Sequence, residues 1–265
     1  MKPIKRFFKR NSHNWLFKNL AGFGRSLNRF YENRNHDISS NGELTVIRKI
    51  AGFQPSVLID AGANVGKYSL ALARYCPQAT IYALEPVERT FLELQANLAP
   101  YPNIIPVKKG LYFEAVAKEI NVYPSHTHSS LYDIEGLSYQ PSSRQTIELI
   151  SGDEFARENQ IENIDFLKLD LEGAEYDALL GFQDLLRKKR IKAIQFEYGY
   201  INISTKKLLI DFYHFFEEYG YILGKIFPKE VEFREYAFKY EDFIGPNFLA
   251  VNKDEPALIE ALRKK

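Results

Sequence analysis

The chain has 265 residues, of which 45% are hydrophobic and 26% charged, the composition of a globular domain with one generous core and room for appendages. A single cysteine, Cys76, excludes an intrachain disulfide, and no window approaches the roughly 18 uninterrupted apolar residues of a membrane span. The formal net charge of +1 hides an asymmetry: residues 1–34 hold nine Lys or Arg against Glu32 alone, and the remainder is mildly acidic at −7.

The N-terminal segment lacks the long apolar block of a signal peptide, so a cytoplasmic protein is expected, with peripheral membrane contact through residues 1–34 as an extension of that expectation. That basic arm reads as two amphipathic helices. Ile4, Phe7, Phe8 and Trp15 share one face of the first, opposite Lys2, Lys5, Arg6 and Lys9. Leu16, Leu20, Phe23, Leu27 and Phe30 line the second, opposite Lys18, Arg25 and Arg29, and 11–14 is the break between them. Such a segment either packs on the domain or rests on an anionic membrane surface or a partner.

From residue 55 short apolar strands alternate with helical stretches. Strands are expected at 57–60, 80–84, 104–107, 164–169 and 191–196, and helices at 67–75, through Phe91 to Leu98, at 175–186 and at 206–219. Segments 221–227 and 248–252 read as a closing strand pair. This pattern predicts an α/β fold with a mostly parallel sheet, helices on both faces and a C-terminal antiparallel pair; such sheets bind ligands at the strands' carboxyl ends. Residues 110–150 break the alternation, with strand-like pieces around a polar loop, and read as an insertion on the substrate side. The expected division is an arm over 1–50, the domain over 51–253 and a tail over 254–265.

The first strand runs into Asp60-Ala61-Gly62-Ala63-Asn64-Val65-Gly66. A dinucleotide fingerprint would need glycine at Ala63, and a phosphate loop would need another residue and a hydroxyl at Tyr68. Neither fits, and Asp60 points away from a pyrophosphate. Glu85, ending the second strand before Pro86, stands where an acid accepts hydrogen bonds from ribose hydroxyls. Acids at both strand ends suit S-adenosylmethionine, with its ribose, amino group and sulfonium. The expected cofactor contacts are Asp60, Gly62, Ala63, Asn64, Gly66, Glu85 and Pro86.

A third acidic strand end follows at Asp170. Asp170 and Glu172 have the same parity, so an extended strand would project both from one face. Glu175 opens the next helix, where its charge suits the helix N-terminus. Glu197 ends the adjoining strand, and these ends should converge on one cleft.

The stretches LIDAGANVGKYS, ALEP with the later Asn97, HSSL and DFLKLDLEGAEYDALLGF, with Asp153-Glu154-Phe155 between, resemble the FkbM-type methyltransferases over roughly residues 55–200. The resemblance implies a class I methyltransferase (Rossmann-like) fold using S-adenosyl-L-methionine, and O-methylation of a sugar, glycan, glycolipid or natural product. Asp60, Gly62, Asn64, Gly66 and Glu85 match its cofactor part, and Asp170, Glu172, Gly173 and Glu175 its second signature.

Methyl transfer to a hydroxyl gains from removal of the hydroxyl proton, and the candidate bases are Glu172, Asp170 and then His128. Ser129, Ser130 and Glu197 are expected to face the acceptor. His126 and His128, one residue apart in a polar loop, imply no metal. Methylation of nitrogen or of a carboxylate is the alternative reaction, and a non-catalytic scaffold the alternative class. Nucleic acid is not an expected partner, because the body is acidic and the basic arm lacks a stacking platform.

Overall fold

The computed structural model describes residues 2–123, 129–134 and 140–263. Two helices, α1 (Lys2–Arg10) and α2 (Trp15–Tyr31), form the arm, and α3 (Glu43–Ala51) leads into the body. Then come β1 (Val57–Ala61), α4 (Lys67–Tyr75), β2 (Thr80–Leu84), α5 (Glu88–Leu98) and β3 (Ile104–Val107). The insertion supplies β4 (Gly110–Tyr112), β5 (Val116–Val122), β6 (Ser129–Ser130) and β7 (Ser143–Ser151). The second half contains α6 (Gly152–Glu158), β8 (Ile164–Leu169), α7 (Glu175–Leu180), α8 (Gln183–Arg187), β9 (Ile191–Glu197), α9 (Asn202–Thr205) and α10 (Leu209–Glu218). It closes with β10 (Tyr221–Ile226), β11 (Val231–Phe233), β12 (Asn247–Asn252) and α11 (Pro256–Leu262).

The main sheet has the order β11-β10-β12-β9-β8-β1-β2-β3. Strands β3, β2, β1, β8 and β9 are parallel; β12 runs antiparallel to both β9 and β10. Strand β12 is thus inserted antiparallel between β9 and β10, the mostly parallel sheet with a C-terminal antiparallel pair that the sequence pattern predicts.

The central strands are buried on both faces, so their alternate residues feed two cores. Leu58, Ile81, Phe166 and Val251 face a cluster closed by α3, α4, α5 and α11 through Ile47, Leu72, Leu94 and Leu262. Ile59, Leu84, Leu167 and Phe248 face the other, where Phe155, Phe182, Phe212 and Phe216 supply bulk from the helical side.

Four details differ from the sequence expectation. The helix expected over 175–186 is broken at Gly181, where an added Cβ would lie 2.2 Å from the Tyr112 carbonyl oxygen; the Asp153 carboxylate then accepts from the Asp184 and Leu185 amides to start α8 afresh. The helix expected from residue 206 begins at Leu209, because Lys206 adopts a left-handed φ of 58°. The insertion forms a second, four-stranded sheet of order β4-β7-β5-β6. Helix α3 belongs to the body: Val46, Ile47 and Ile50 are buried in the core beside Leu258 and Leu262 of α11, so neither the arm ending at residue 50 nor the separate tail matches the packing.

The arm also differs from a helix packed on the domain. Asn14 caps α2 by accepting from the Phe17 amide at 3.0 Å, and α2 continues through Gly22 and Gly24, yet none of its residues is buried.

Candidate active site

The carboxyl ends of β2, β1, β8 and β9, four neighbours in the sheet, open into a cleft of about 770 Å³. That volume is within the usual range for small-molecule sites. Leu111, Ile120, Leu131, Ile147 and Leu149 of the insertion form an apolar wall over it.

The β1 turn is fixed by backbone bonds. The amides of Gly62 and Ala63 both donate to the Leu84 carbonyl, at 3.0 and 2.9 Å, and Asn97 donates to the Val65 carbonyl at 2.9 Å. Gly62 has a φ of 80°, and an added Cβ there would fall 1.8 Å from the Asp170 carbonyl oxygen. Its glycine is therefore demanded by the close passage of two strand ends as well as by the turn. Gly62, Ala63 and Asn64 line the cleft, whereas Gly66 lies against Leu94 and Leu98 of α5 and starts α4.

Glu85 lines the cleft beside Pro86. Its carboxylate accepts from the amides of Asn64 at 3.2 Å and Val87 at 2.9 Å, tying the second strand end to the first turn. Burial raises its pKa to about 7, against the opposing pull of those two amides.

Asp60 is placed differently from the expectation. It lies beneath the cleft floor at 0% exposure, because its parity with Leu58 turns it toward α4. Its Oδ2 accepts from Ser69 at 2.6 Å, while Oδ1 has no hydrogen-bond donor and sits 4.0 Å from Lys168 Nζ. Asp60 thus supports the turn from below.

Lys168 is the buried cation of the site, 2.7 Å from Asp170 Oδ2 and 4.7 Å over the Tyr68 ring. Burial disfavours its charge, but Asp170, Asp60 and Glu43 outweigh that and push its pKa up. Glu43, from α3, accepts from Asn41 at 2.7 Å and Gln195 at 2.6 Å, and Gln195 in turn accepts from the Tyr68 hydroxyl at 2.9 Å.

Glu172 reaches the cleft by a route the parity argument does not describe. β8 ends at Leu169, and Glu172 and Gly173 take left-handed φ values of 49° and 107°. The buried Glu175 carboxylate accepts from the Leu171 amide at 2.7 Å and the Gly173 amide at 3.0 Å. From above, Ser130 Oγ donates to the Glu172 carbonyl at 2.6 Å. Ser130 is fully buried and holds this turn, a correction to its expected contact with the acceptor, while Ser129 does line the cleft.

Glu197, at the end of β9, faces the same space. Burial and the charge of Asp170 raise the pKa of both Glu172 and Glu197. Among the described residues, neither carboxylate is hydrogen-bonded to another side chain. His126 and His128 lie outside the described residues.

Sequence reasoning missed His36, Ile38, Glu43 and Tyr200, which also line the cleft. Only Glu43 left a signal, as an acid opening a helix.

The donor set suits S-adenosylmethionine. Glu43, Glu85, Glu93, Asp170, Glu172 and Glu197 line the cleft, and among the described residues Lys67 and Lys168 are its only Lys or Arg. Carboxyl groups accept hydrogen bonds from hydroxyl and amino donors, and a lining this poor in cations offers little to a phosphate.

A family model described as the methyltransferase FkbM domain matches residues 60–223. Methyltransferase 1 of Beauveria bassiana is 30% identical over 148 residues, covering 49% of this chain and 59% of that protein. Hexuronic acid methyltransferase AglP of Haloferax volcanii is 28% identical over 171 residues, covering 63% and 68%. The 2-O-methyltransferase NoeI of Sinorhizobium fredii is 24% identical over 151 residues, covering 51% and 60%. The chain thus spans about six tenths to two thirds of the length of these relatives.

Proposed function

The chain belongs to the FkbM methyltransferase family, and we propose that it methylates a hydroxyl oxygen of a sugar or glycan, with S-adenosylmethionine as donor. The observation that carries this reading is the meeting, in one cleft, of Glu85 at the end of the second strand with two carboxylates, Glu172 and Glu197, that face open space. When bound, the cofactor supplies a methyl group activated by a sulfonium.

The chain's own residues do the rest. Glu85 and the 62–64 backbone hold the cofactor. Glu172 accepts the acceptor's hydroxyl proton as the oxygen gains the methyl group, and Glu197 orients that hydroxyl. A carboxylate with a raised pKa is, once ionised, a stronger base than an ordinary one. Ser130 and Glu175 keep Glu172 aimed, and the apolar wall limits water.

The names of two relatives, a hexuronic acid methyltransferase and a 2-O-methyltransferase, support a sugar acceptor. The carboxylate excess also favours an amine, which makes N-methylation of an amino sugar the second reading.

The test is release of S-adenosylhomocysteine by the full chain against neutral sugars, amino sugars and uronates, with product analysis. An alkali-stable methyl ether on a hydroxyl is the expected product. A methyl ester or an N-methyl product would overturn the hydroxyl assignment, and a cofactor-binding protein with no turnover on any acceptor would favour a scaffold.

A further inference from the structure

The arm carries charge and apolar surface in a combination that the cleft does not use. On α2, Leu16, Leu20, Phe23, Leu27 and Phe30 recur at helical spacing and are all exposed, Phe30 to 82%. On α1, Ile4, Phe7 and Phe8 are likewise exposed, and the Phe8 ring meets Phe17 edge-on at 5.4 Å, joining the two helices. Residues 2–31 contain eight Lys or Arg and no acid.

The base of the arm is fastened to the body. Glu32 forms a buried ion pair with Lys225 at 2.9 Å, and Asn33 donates to the carbonyls of Asn41 at 2.8 Å and Ile226 at 3.0 Å. A few residues on, His36 and Ile38 line the cleft. The arm is a projecting element with an anchored root beside the site.

We infer that this arm seats the protein on the surface of an anionic lipid bilayer. An apolar stripe backed by uniformly positive charge fits the acyl boundary and acidic headgroups together. A second copy would cover the stripe but bring two sets of eight cations face to face. A nucleic acid would match the charge and leave the stripe in water. No helix among the described residues is long and apolar enough to cross a membrane, so the arm lies in the interface plane. Docking then sets the cleft entrance close to the bilayer.

Flotation of the full chain with phosphatidylcholine vesicles, with and without phosphatidylglycerol, tests this. Binding is expected only with the anionic vesicles, falling about tenfold or more at high salt, as charges near a membrane surface are screened. The variants Phe23→Glu with Leu27→Glu, and Lys18→Glu with Arg25→Glu and Arg29→Glu, should each lose binding while keeping the wild-type melting curve, since all five side chains are exposed. Absence of flotation on anionic vesicles at low salt would overturn the inference. So would a wild-type dimer, seen by light scattering, that Phe23→Glu with Leu27→Glu converts to monomer.

Discussion

Replacing Glu85 by Ala is expected to weaken S-adenosylhomocysteine binding by about 2–4 kcal/mol, about 30- to 1,000-fold, the scale of losing charged hydrogen bonds to two hydroxyls. A carboxylate offers about four acceptor positions, and the amides of Asn64 and Val87 use two of Glu85's. The others are left for hydroxyls in the cleft. Because the same carboxylate braces the turn, the melting temperature will fall as well, and Glu85→Gln separates the two effects.

The pH dependence sharpens this. Burial lifts Glu85 to about 7 from its ordinary 4.5. Its proton is therefore held more tightly in the folded chain, and the stability this lends is present at low pH and lost as pH rises from about 4.5 through 7. Ligand hydroxyls donate to the ionised form, so binding releases that proton, and affinity should rise about tenfold from pH 6 to pH 8. In Glu85→Gln that rise should vanish. Calorimetric titration at both pH values checks it, and an unchanged affinity in Glu85→Ala would remove Glu85 from the cofactor site.

Glu172→Gln is expected to lower kcat by about 10²- to 10⁴-fold, the range for loss of a general base. Its affinity for S-adenosylhomocysteine should stay within about threefold of wild type, since no cofactor contact is assigned to it. Burial first, and then the charges of Asp170 and Glu175, raise the pKa of Glu172. The base is ionised only above that pKa, so wild-type turnover should climb with pH and then level off. Full activity in Glu172→Gln would move the base to Glu197, with Glu197→Gln as the decisive variant.

Much of the parallel sheet was legible because its strands are short apolar runs, most of them ended by an acid or a glycine turn. Lys67–Tyr75, Thr80–Leu84, Ile104–Val107 and Ile164–Leu169 lie where the sequence pattern puts them. The small sheet was less so, since β7 alternates exposed and buried residues irregularly and its pairing with β5 joins segments distant in sequence. The break at Gly181 depends on the Tyr112 carbonyl, a contact set by the insertion and invisible in local spacing.

The site divides in the same way. Glu85, Asp170, Glu172 and Glu197 were readable as strand-end acids because neighbouring parallel strands bring their ends together. Asp60 was placed on the wrong side of the floor: alternation along β1 sends it inward with Leu58. The parity of Asp170 and Glu172 gave the right neighbours for the wrong reason, since Glu172 sits on a left-handed turn. His36 enters from the N-terminal side through tertiary contacts alone, and Glu43 signals no more than the start of a helix.

Calorimetric titration of the full chain with S-adenosylmethionine, and separately with NAD, bears most directly on the chemistry of the cleft. Saturable binding of S-adenosylmethionine to one site, with no heat from NAD, is the expected result. Binding of NAD in the absence of S-adenosylmethionine binding would contradict it.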